Sequence, residues 1–274
     1  MKRVLLAIAP SVFCATLVAQ PRPAMLGAPT HARAAMQPVA VSTTSVTLLL
    51  TLTVDDGWHV SWRNPGETGL PTRFAWNLPH GVRVRREMWP VPTVTRSDVG
   101  VAHTLEGEVP WLVEFVVDAP ATADRLISLT MRYGICRDVC IPEQMTVQGV
   151  LPAAHAGAAT LGAVPALLRG RLAADASRVP ARVNENHELC LDHRPKGVAA
   201  SGLDIIAGPD RGFDAAVAVP AHVAAARGPL RVTLPAAARL REPTDTVLLV
   251  SGARGVTVPL DFRAPAPHCG RRSR

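Results

Sequence analysis

Lysine and tyrosine are almost missing from this chain of 274 residues: the lysines are Lys2 and Lys196, and the single tyrosine is Tyr133. Aromatic residues make up 4% of the sequence, and all five tryptophans (Trp58, Trp62, Trp76, Trp89 and Trp111) fall in one stretch, so that beyond about residue 152 neither Trp nor Tyr occurs. There is no Gly-x-Gly-x-x-Gly, Walker loop or dinucleotide fingerprint, which leaves nucleotide and flavin chemistry without a footing. There is no Met-x-x-Met, no His-rich run and no Cys–His spacing of a zinc site. After the N-terminus no apolar run approaches the roughly 20 residues that a membrane-spanning helix needs.

A net charge of +7 suggests a polyanion as partner, but the charge is not on the body of the chain. Residues 1–34 contain Lys2, Arg3, Arg22 and Arg33 and no acid, and the tail adds Arg271, Arg272 and Arg274, which leaves the remainder neutral. A phosphate-binding surface needs cations clustered on the folded body. No nucleic-acid role is indicated.

What is present begins with Met1-Lys2-Arg3 and an apolar run from Val4 to Ala19 interrupted at Pro10 and Ser11. A basic start and a short apolar core read as a secretory signal. It is assigned to residues 1–34, with cleavage after Ala19 or at the small-x-small site Ala32-Arg33-Ala34. Cys14 lacks a lipobox because Phe13 is too large. The expected product is a soluble exported protein, not membrane-spanning once the signal is removed.

Residues 38–152 carry short strand-like runs, Ser45 to Val54, Thr72 to Leu78, Trp111 to Val117, Leu126 to Tyr133 and Met145 to Leu151. Gly, Pro and Asn separate them at the spacing of an all-β sandwich. An alanine-rich linker with a short helix is expected over 153–173. A second, smaller β-rich module is expected over 174–263, from runs at Gly202 to Ala207, Ala215 to Val219, Leu230 to Leu234, Thr246 to Val250 and Val256 to Phe262. Residues 264–274 read as a disordered tail.

The most informative segment is Tyr133-Gly134-Ile135-Cys136-Arg137-Asp138-Val139-Cys140-Ile141-Pro142. Two β-prone runs flank a tight connection carrying both thiols, and cysteines so spaced can reach disulfide distance. Three readings are open: a redox couple, a structural hairpin disulfide, or a pair of metal ligands. A staple gains little here, since closing a five-residue loop is worth roughly 2 kcal/mol against ~4.7 for a hundred-residue loop. A local pair presents both sulfurs at one edge, which suits exchange. Arg137 favours thiolate and Asp138 opposes it. As metal ligands, Cys136 and Cys140 with Met131, Met145 and His59 or His103 would make a soft site for Cu(I).

Other residues have mostly structural readings. Trp58 and Trp62 share a face at strand periodicity and read as core, with His59 between them. Asn64-Pro65-Gly66-Glu67 is a turn by composition, Trp89-Pro90-Val91-Pro92 a rigid corner, and Glu106 and Glu108 solvated edge charges. Cys190 and Cys269 sit in no motif and could pair with each other.

Four separated segments then point to a family. Gly57-Trp58-His59-Val60-Ser61-Trp62-Arg63-Asn64-Pro65-Gly66-Glu67-Thr68-Gly69-Leu70-Pro71-Thr72 precedes Trp89-Pro90-Val91-Pro92, then Glu106-Gly107-Glu108-Val109, then Cys136-Arg137-Asp138-Val139-Cys140-Ile141-Pro142. Over about 115 residues this order resembles the amino-terminal periplasmic domain of the DsbD/ScsB thiol:disulfide interchange proteins. The resemblance implies an immunoglobulin-like sandwich with a redox-active Cys136–Cys140 pair at one edge. It also implies that Cys140 forms the mixed disulfide and Cys136 resolves it. The expected partners are a membrane or thioredoxin-like electron-transfer protein and oxidised periplasmic thiol proteins, and no cofactor beyond the cysteines is implied. Full-length members continue into membrane and thioredoxin-like domains that this chain does not show, so electrons are expected from a separate protein. Where many relatives have aromatic residues in a loop shielding the cysteines, this chain has Val101-Ala102-His103-Thr104-Leu105. Related exported systems are linked to copper tolerance, which makes a copper-binding protein the alternative; a third reading is a structural sandwich adaptor with a non-catalytic disulfide.

Overall fold

The structure, a computed structural model, describes residues 31–120, 122–153, 159–160, 162–184, 188–196, 203–207, 219–220, 230–233 and 244–265. The first ten strands are β1 (Ala32–Val41), β2 (Ser45–Val54), β3 (His59–Gly66), β4 (Arg73–Asn77), β5 (Val82–Met88), β6 (Thr93–Ser97), β7 (Gly100–Leu105), β8 (Glu108–Val117), β9 (Arg125–Cys136) and β10 (Cys140–Leu151). They form two sheets. One runs β1-β2-β8-β5, extended at its β1 edge by β11 (Ala159–Thr160). The other runs β10-β9-β3-β7-β6, with β4 alongside β9 beyond the end of β3.

Alternation explains how the layers close. In β8, Val109, Trp111, Val113, Phe115 and Val117 are buried, while Glu108 and Glu114 face out; in β9, Ile127, Leu129, Met131, Tyr133 and Ile135 point the same way from the facing sheet. Side chains two residues apart share a face of the pleat, so two such strands make an inner layer between them. Trp62, Trp89, Trp111, Phe74 and Trp76 fill it with edge-to-face and stacked pairs, ring centroids 4.9 to 6.2 Å apart. The result is an immunoglobulin-like β-sandwich. The central strand β2 is buried on both faces. Leu48, Leu50 and Leu52 enter the sandwich, while Leu49 meets Val39, Val164 and Leu168 on the outside, where the one-turn helix α1 (Ala166–Gly170) lies across the sheet.

Beyond α1 come β12 (Ala174–Asp175), β13 (Val179–Val183), β14 (Glu188–Leu191), β15 (Asp204–Ala207), β16 (Val219–Pro220), β17 (Leu230–Thr233), β18 (Thr244–Ser251) and β19 (Arg254–Asp261). They make one sheet, β16-β15-β18-β19-β13-β14-β17, with β12 also on β19, and they bury their own cluster around Ile205, Leu249 and Val258. The second module also shares the first one's core. Ile206, Leu248 and Val250 belong to the same buried cluster as the sandwich tryptophans, with Val91 and Val94 packed against it. Trp89-Pro90-Val91 is the seam: Ala173 N–H donates to Trp89 O at 3.0 Å and Val91 N–H to Arg171 O at 2.8 Å. Arg171 donates to the carbonyls of Glu106 and Glu108, and Arg96 pairs with Asp204 at 2.5 Å.

Several expectations change. Ala32-Arg33-Ala34 lie in β1, paired with Val54, Thr53 and Leu52, so the sandwich begins inside the 1–34 stretch. Val101 to Leu105 is not a loop but strand β7, bonded to β3 and β6, with His103, Thr104 and Leu105 buried. The runs expected at Leu126 to Tyr133 and Met145 to Leu151 extend to the cysteines themselves, because the hairpin pairs without a break from Arg125↔Leu151 to Cys136↔Cys140. The second-module run Ala215 to Val219 lies largely outside the described residues, as do residues 1–30 and most of the 264–274 tail.

Leu50, fully buried and level with Trp111 across the β2–β8 ladder, has no room to be replaced by solvent. Leu50→Ala should cost about 2 to 5 kcal/mol, read as a lowered urea midpoint with the slope of the transition retained.

Candidate functional site

The site is the tip of the β9–β10 hairpin. Cys136 and Cys140 are cross-strand partners joined by a disulfide, Cα–Cα 4.1 Å, around the three-residue loop Arg137-Asp138-Val139. Alternation places Ile135 and Tyr133 in the sandwich, so Gly134 and Cys136 point to the opposite, outer face. The two cysteines are then unlike. Cys136 is 1% exposed, whereas Cys140 is exposed on β10, an edge strand, between Val139 (70% exposed) and Ile141 (41%).

An outer-face cysteine can be buried only if something covers that face. Beside Cys136 on that face, Gly134 is covered by the segment following β3. Leu70 lies on Gly134 so closely that a Cβ at 134 would sit 2.7 Å from Leu70 Cβ, and Gly69 lies against the Ser61 hydroxyl. The motif from Asn64 to Glu67 anchors it. Gly66 N–H donates to Asn64 Oδ1 at 3.0 Å. Glu67 N–H donates to Val101 O at 2.7 Å, and Val101 N–H returns a bond to Glu67 Oε2 at 2.9 Å. Gly66 holds φ +81° with Val101 O against its Cα, a place only glycine fits. His103, fully buried in β7, donates from Nδ1 to Asn64 O at 2.8 Å, leaving Nε2 buried without a hydrogen-bond partner. Burial drives the His103 pKa down to about 4, against a smaller upward pull from the bond to Asn64.

The hairpin loop is tethered from the other side. The Arg137 guanidinium lies 5.1 Å from the centroid of Trp58, whose other neighbour is His31, stacked at 3.8 Å. Arg137 also pairs with Asp138 at 3.2 Å. Trp62 is fully buried, with its indole N–H donating to Pro90 O at 2.8 Å, while half-buried Trp58 packs against the same core and also meets Arg137 of the cysteine loop. His59, first residue of β3, is the cross-strand neighbour of Cys136. Tyr133, on the core face, donates to Glu143 at 2.9 Å, and burial raises its pKa.

The soft-metal constellation does not assemble. Met131 and Met145 pair with each other on the core face. The five residue steps from Met131 to Cys136 span roughly 16 Å and end on the opposite face. His103 sits three positions along β7 from the level of His59 and is occupied with Asn64. Among the described residues no group of three or more His, Cys, Asp or Glu could hold a metal ion. Cys190 is buried in β14 and disulfide-bonded, and Cys269 lies outside the described residues. Sequence reasoning missed Leu70 and the pairing of His59. Asn64-Pro65-Gly66-Glu67, expected as a turn, instead has Asn64 to Gly66 at the end of β3, with bends only from Glu67 to Gly69.

The site is therefore a local disulfide across the tip of an edge hairpin of a sandwich, with one cysteine buried and its partner exposed. Residues 28–152 match the family described as thiol:disulfide interchange protein DsbD, N-terminal, which supports a DsbD/ScsB N-terminal domain over that stretch. Among solved structures, the N-terminal periplasmic domain of ScsB from Proteus mirabilis aligns at 18% identity over 84% of this chain and 93% of that one, with a TM-score of 0.55, which is a likeness of fold spanning both modules. The DsbD N-terminal domain of Neisseria meningitidis in its reduced form aligns at 13% identity over 46% of this chain and 90% of that one, TM-score 0.26. No curated protein sequence matches the chain. Among the described residues no helix is long and apolar enough to cross a membrane.

Two expectations follow. His103 binds its proton at about pH 4 when folded and near 6.5 when unfolded, so the unfolded chain takes up the extra proton between these values. Stability should be full above pH 6.5, fall by about 3 kcal/mol as pH drops to 4, and lose nothing more from this group below that; His103→Asn, which keeps a donor for Asn64 O, should flatten that part of a urea-unfolding pH series. Leu70→Ala should expose Cys136: with Cys140→Ser in place, maleimide labelling of Cys136 should speed up several-fold while the circular dichroism spectrum stays that of the parent.

Proposed function

We propose that this protein is a periplasmic thiol:disulfide interchange protein. It passes electrons between a thioredoxin-like or membrane donor and oxidised periplasmic proteins through the Cys136–Cys140 couple. The observation that carries this reading is the unequal exposure of two disulfide-linked cysteines at the tip of one edge hairpin, Cys136 buried and Cys140 exposed. A staple has no use for an exposed sulfur, and this loop is too short for cross-linking to contribute more than roughly 2 kcal/mol.

In the reduced protein the Cys140 thiolate attacks the disulfide of a partner. That bond breaks, one partner sulfur leaves and is protonated, and a Cys140–partner disulfide forms. Cys136 then attacks Cys140 Sγ, expelling the second partner sulfur as a thiol. Two electrons and two protons pass from the cysteine pair to the partner disulfide. In the opposite direction a donor thiolate attacks Cys140, and Cys136 is the leaving sulfur. Cys140 is the point of attack because incoming sulfur must approach in line with the S–S bond, and the cover over Gly134 closes the Cys136 side. Val139 and Ile141 supply an apolar rim, and the free edge of β10 offers backbone groups to a docking partner. Lys2-Arg3 and the apolar run to Ala19 support export, and the placement of Ala32 in β1 favours cleavage at Ala19.

Single-cysteine variants test the reading. Challenged with glutathione disulfide or a thioredoxin-like domain, Cys136→Ser should accumulate a mixed disulfide at Cys140, and Cys140→Ser should accumulate almost none. Titration against a glutathione series should give a potential more oxidising than about −300 mV; a much lower value would mean a structural disulfide.

A further inference from the structure

The ladder places a third group beside the cysteines. His59 is paired with Cys136 across β3 and β9, and Cys136 with Cys140 across β9 and β10, so the three stand abreast on adjacent strands. Directly paired residues on one face have Cβ atoms about 4.5 to 5.5 Å apart. Val60 and Ile135, the next pair along, are fully buried in the sandwich, which puts His59 and Cys136 together on the outer face. Val60 pairs with Leu105 on the other side, so the position level with His59 there is Glu106.

Resting on the interchange reading, we propose that His59 is the proton acceptor for the Cys136 thiol in the resolving step, with Glu106 on its far side setting its charge. Exposed Cys140 can release its proton to water. Cys136, covered on its own face, needs a base within the protein. In the mixed disulfide, the Cys136 thiol gives its proton to the imidazole and its sulfur attacks Cys140 Sγ. The Cys140–partner bond breaks, and the departing thiolate takes the proton from the imidazolium. The cysteine pair is oxidised by two electrons and the partner sulfurs are reduced.

The surroundings favour a neutral, accepting imidazole. Partial burial lowers the His59 pKa, and the Glu106 charge offsets part of that. From the hairpin loop come Arg137 and Asp138, which neutralise each other at 3.2 Å, the guanidinium being turned onto Trp58. Behind Trp58 stand His31 and Asp55, 3.4 Å apart. From β10 the facing residues are Cys140, Ile141 and Pro142, without charge.

The test uses the reduced full chain and glutathione disulfide as oxidant, with acid quenching between pH 5 and 9. Attack by Cys140 releases a first glutathione and resolution by Cys136 a second. His59→Phe and the milder His59→Gln should leave the first release near the parental rate and slow the second by at least about tenfold at pH 7, with loss of the pH limb that the imidazole sets. Glu106→Gln should keep that limb and move it to lower pH. In a Cys140→Ser background, absorbance at 240 nm should show a higher Cys136 thiol pKa once His59 is replaced. A second release equal to the parent's in both His59 variants, with the same pH profile, overturns the proposal. Equal slowing of both steps overturns it too, since that is what mere loosening of β3 would do. If the parent itself shows no first release, the interchange reading fails and takes this one with it.

Discussion

The unbroken register of β9 with β10 on one side and with β3 and β4 on the other is the constraint on which everything else in the first module depends. Because the pleat alternates strictly, one choice of register sends Met131, Tyr133 and Ile135 into the sandwich and Gly134 and Cys136 out of it. A slip of one residue would put a disulfide in the core and bulky apolar groups on the surface. The core face settles the matter, since the tryptophan-lined interior needs those apolar side chains to fill it. The redox pair thus inherits its position from hydrophobic packing several residues away.

That position creates a second requirement. A cysteine on the outer face is exposed unless other chain covers it, and the stretch from Asn64 to Thr72 is folded back to do so. Its anchors are polar and backbone-directed, running to Val101 and through His103 to Asn64. Leu70 is then the only large apolar side chain of that stretch available to lie on Gly134. Cover on one sulfur and none on the other is what converts a symmetrical bond into a directional one. The second module contributes from a distance. It packs Ile206, Leu248 and Val250 against the sandwich core, while Arg171 and Ala173, just before its first strand, bond to Val91 and Trp89, and Arg171 also to Glu106 and Glu108.

How far this could be read beforehand varies with the kind of signal. The strands at Ser45 to Val54 and Trp111 to Val117 have dense β-branched and leucine content and were evident. β1, with Ala, Met and Gln, and β5, Val-Arg-Val-Arg-Arg-Glu-Met, were not, because their pairing is imposed by neighbours and not by propensity. The copper constellation failed on parity: Met131 and Cys136 are close in sequence, but an odd separation in a strand sends side chains to opposite faces.

The sequence by itself determined that there is a local cysteine pair between two β runs, that the chain is all-β with a tryptophan-rich first module, and which family that module resembles. These rest on short-range pattern and on motifs whose order survives without coordinates. Only the tertiary structure decided that Cys136 is buried and Cys140 exposed, that Leu70 lies on Gly134 two residues before the buried cysteine, and that His59 is its cross-strand neighbour. Each of those joins residues from different strands, and cross-strand neighbourhood is set by the packing of whole faces, which no local stretch of sequence contains.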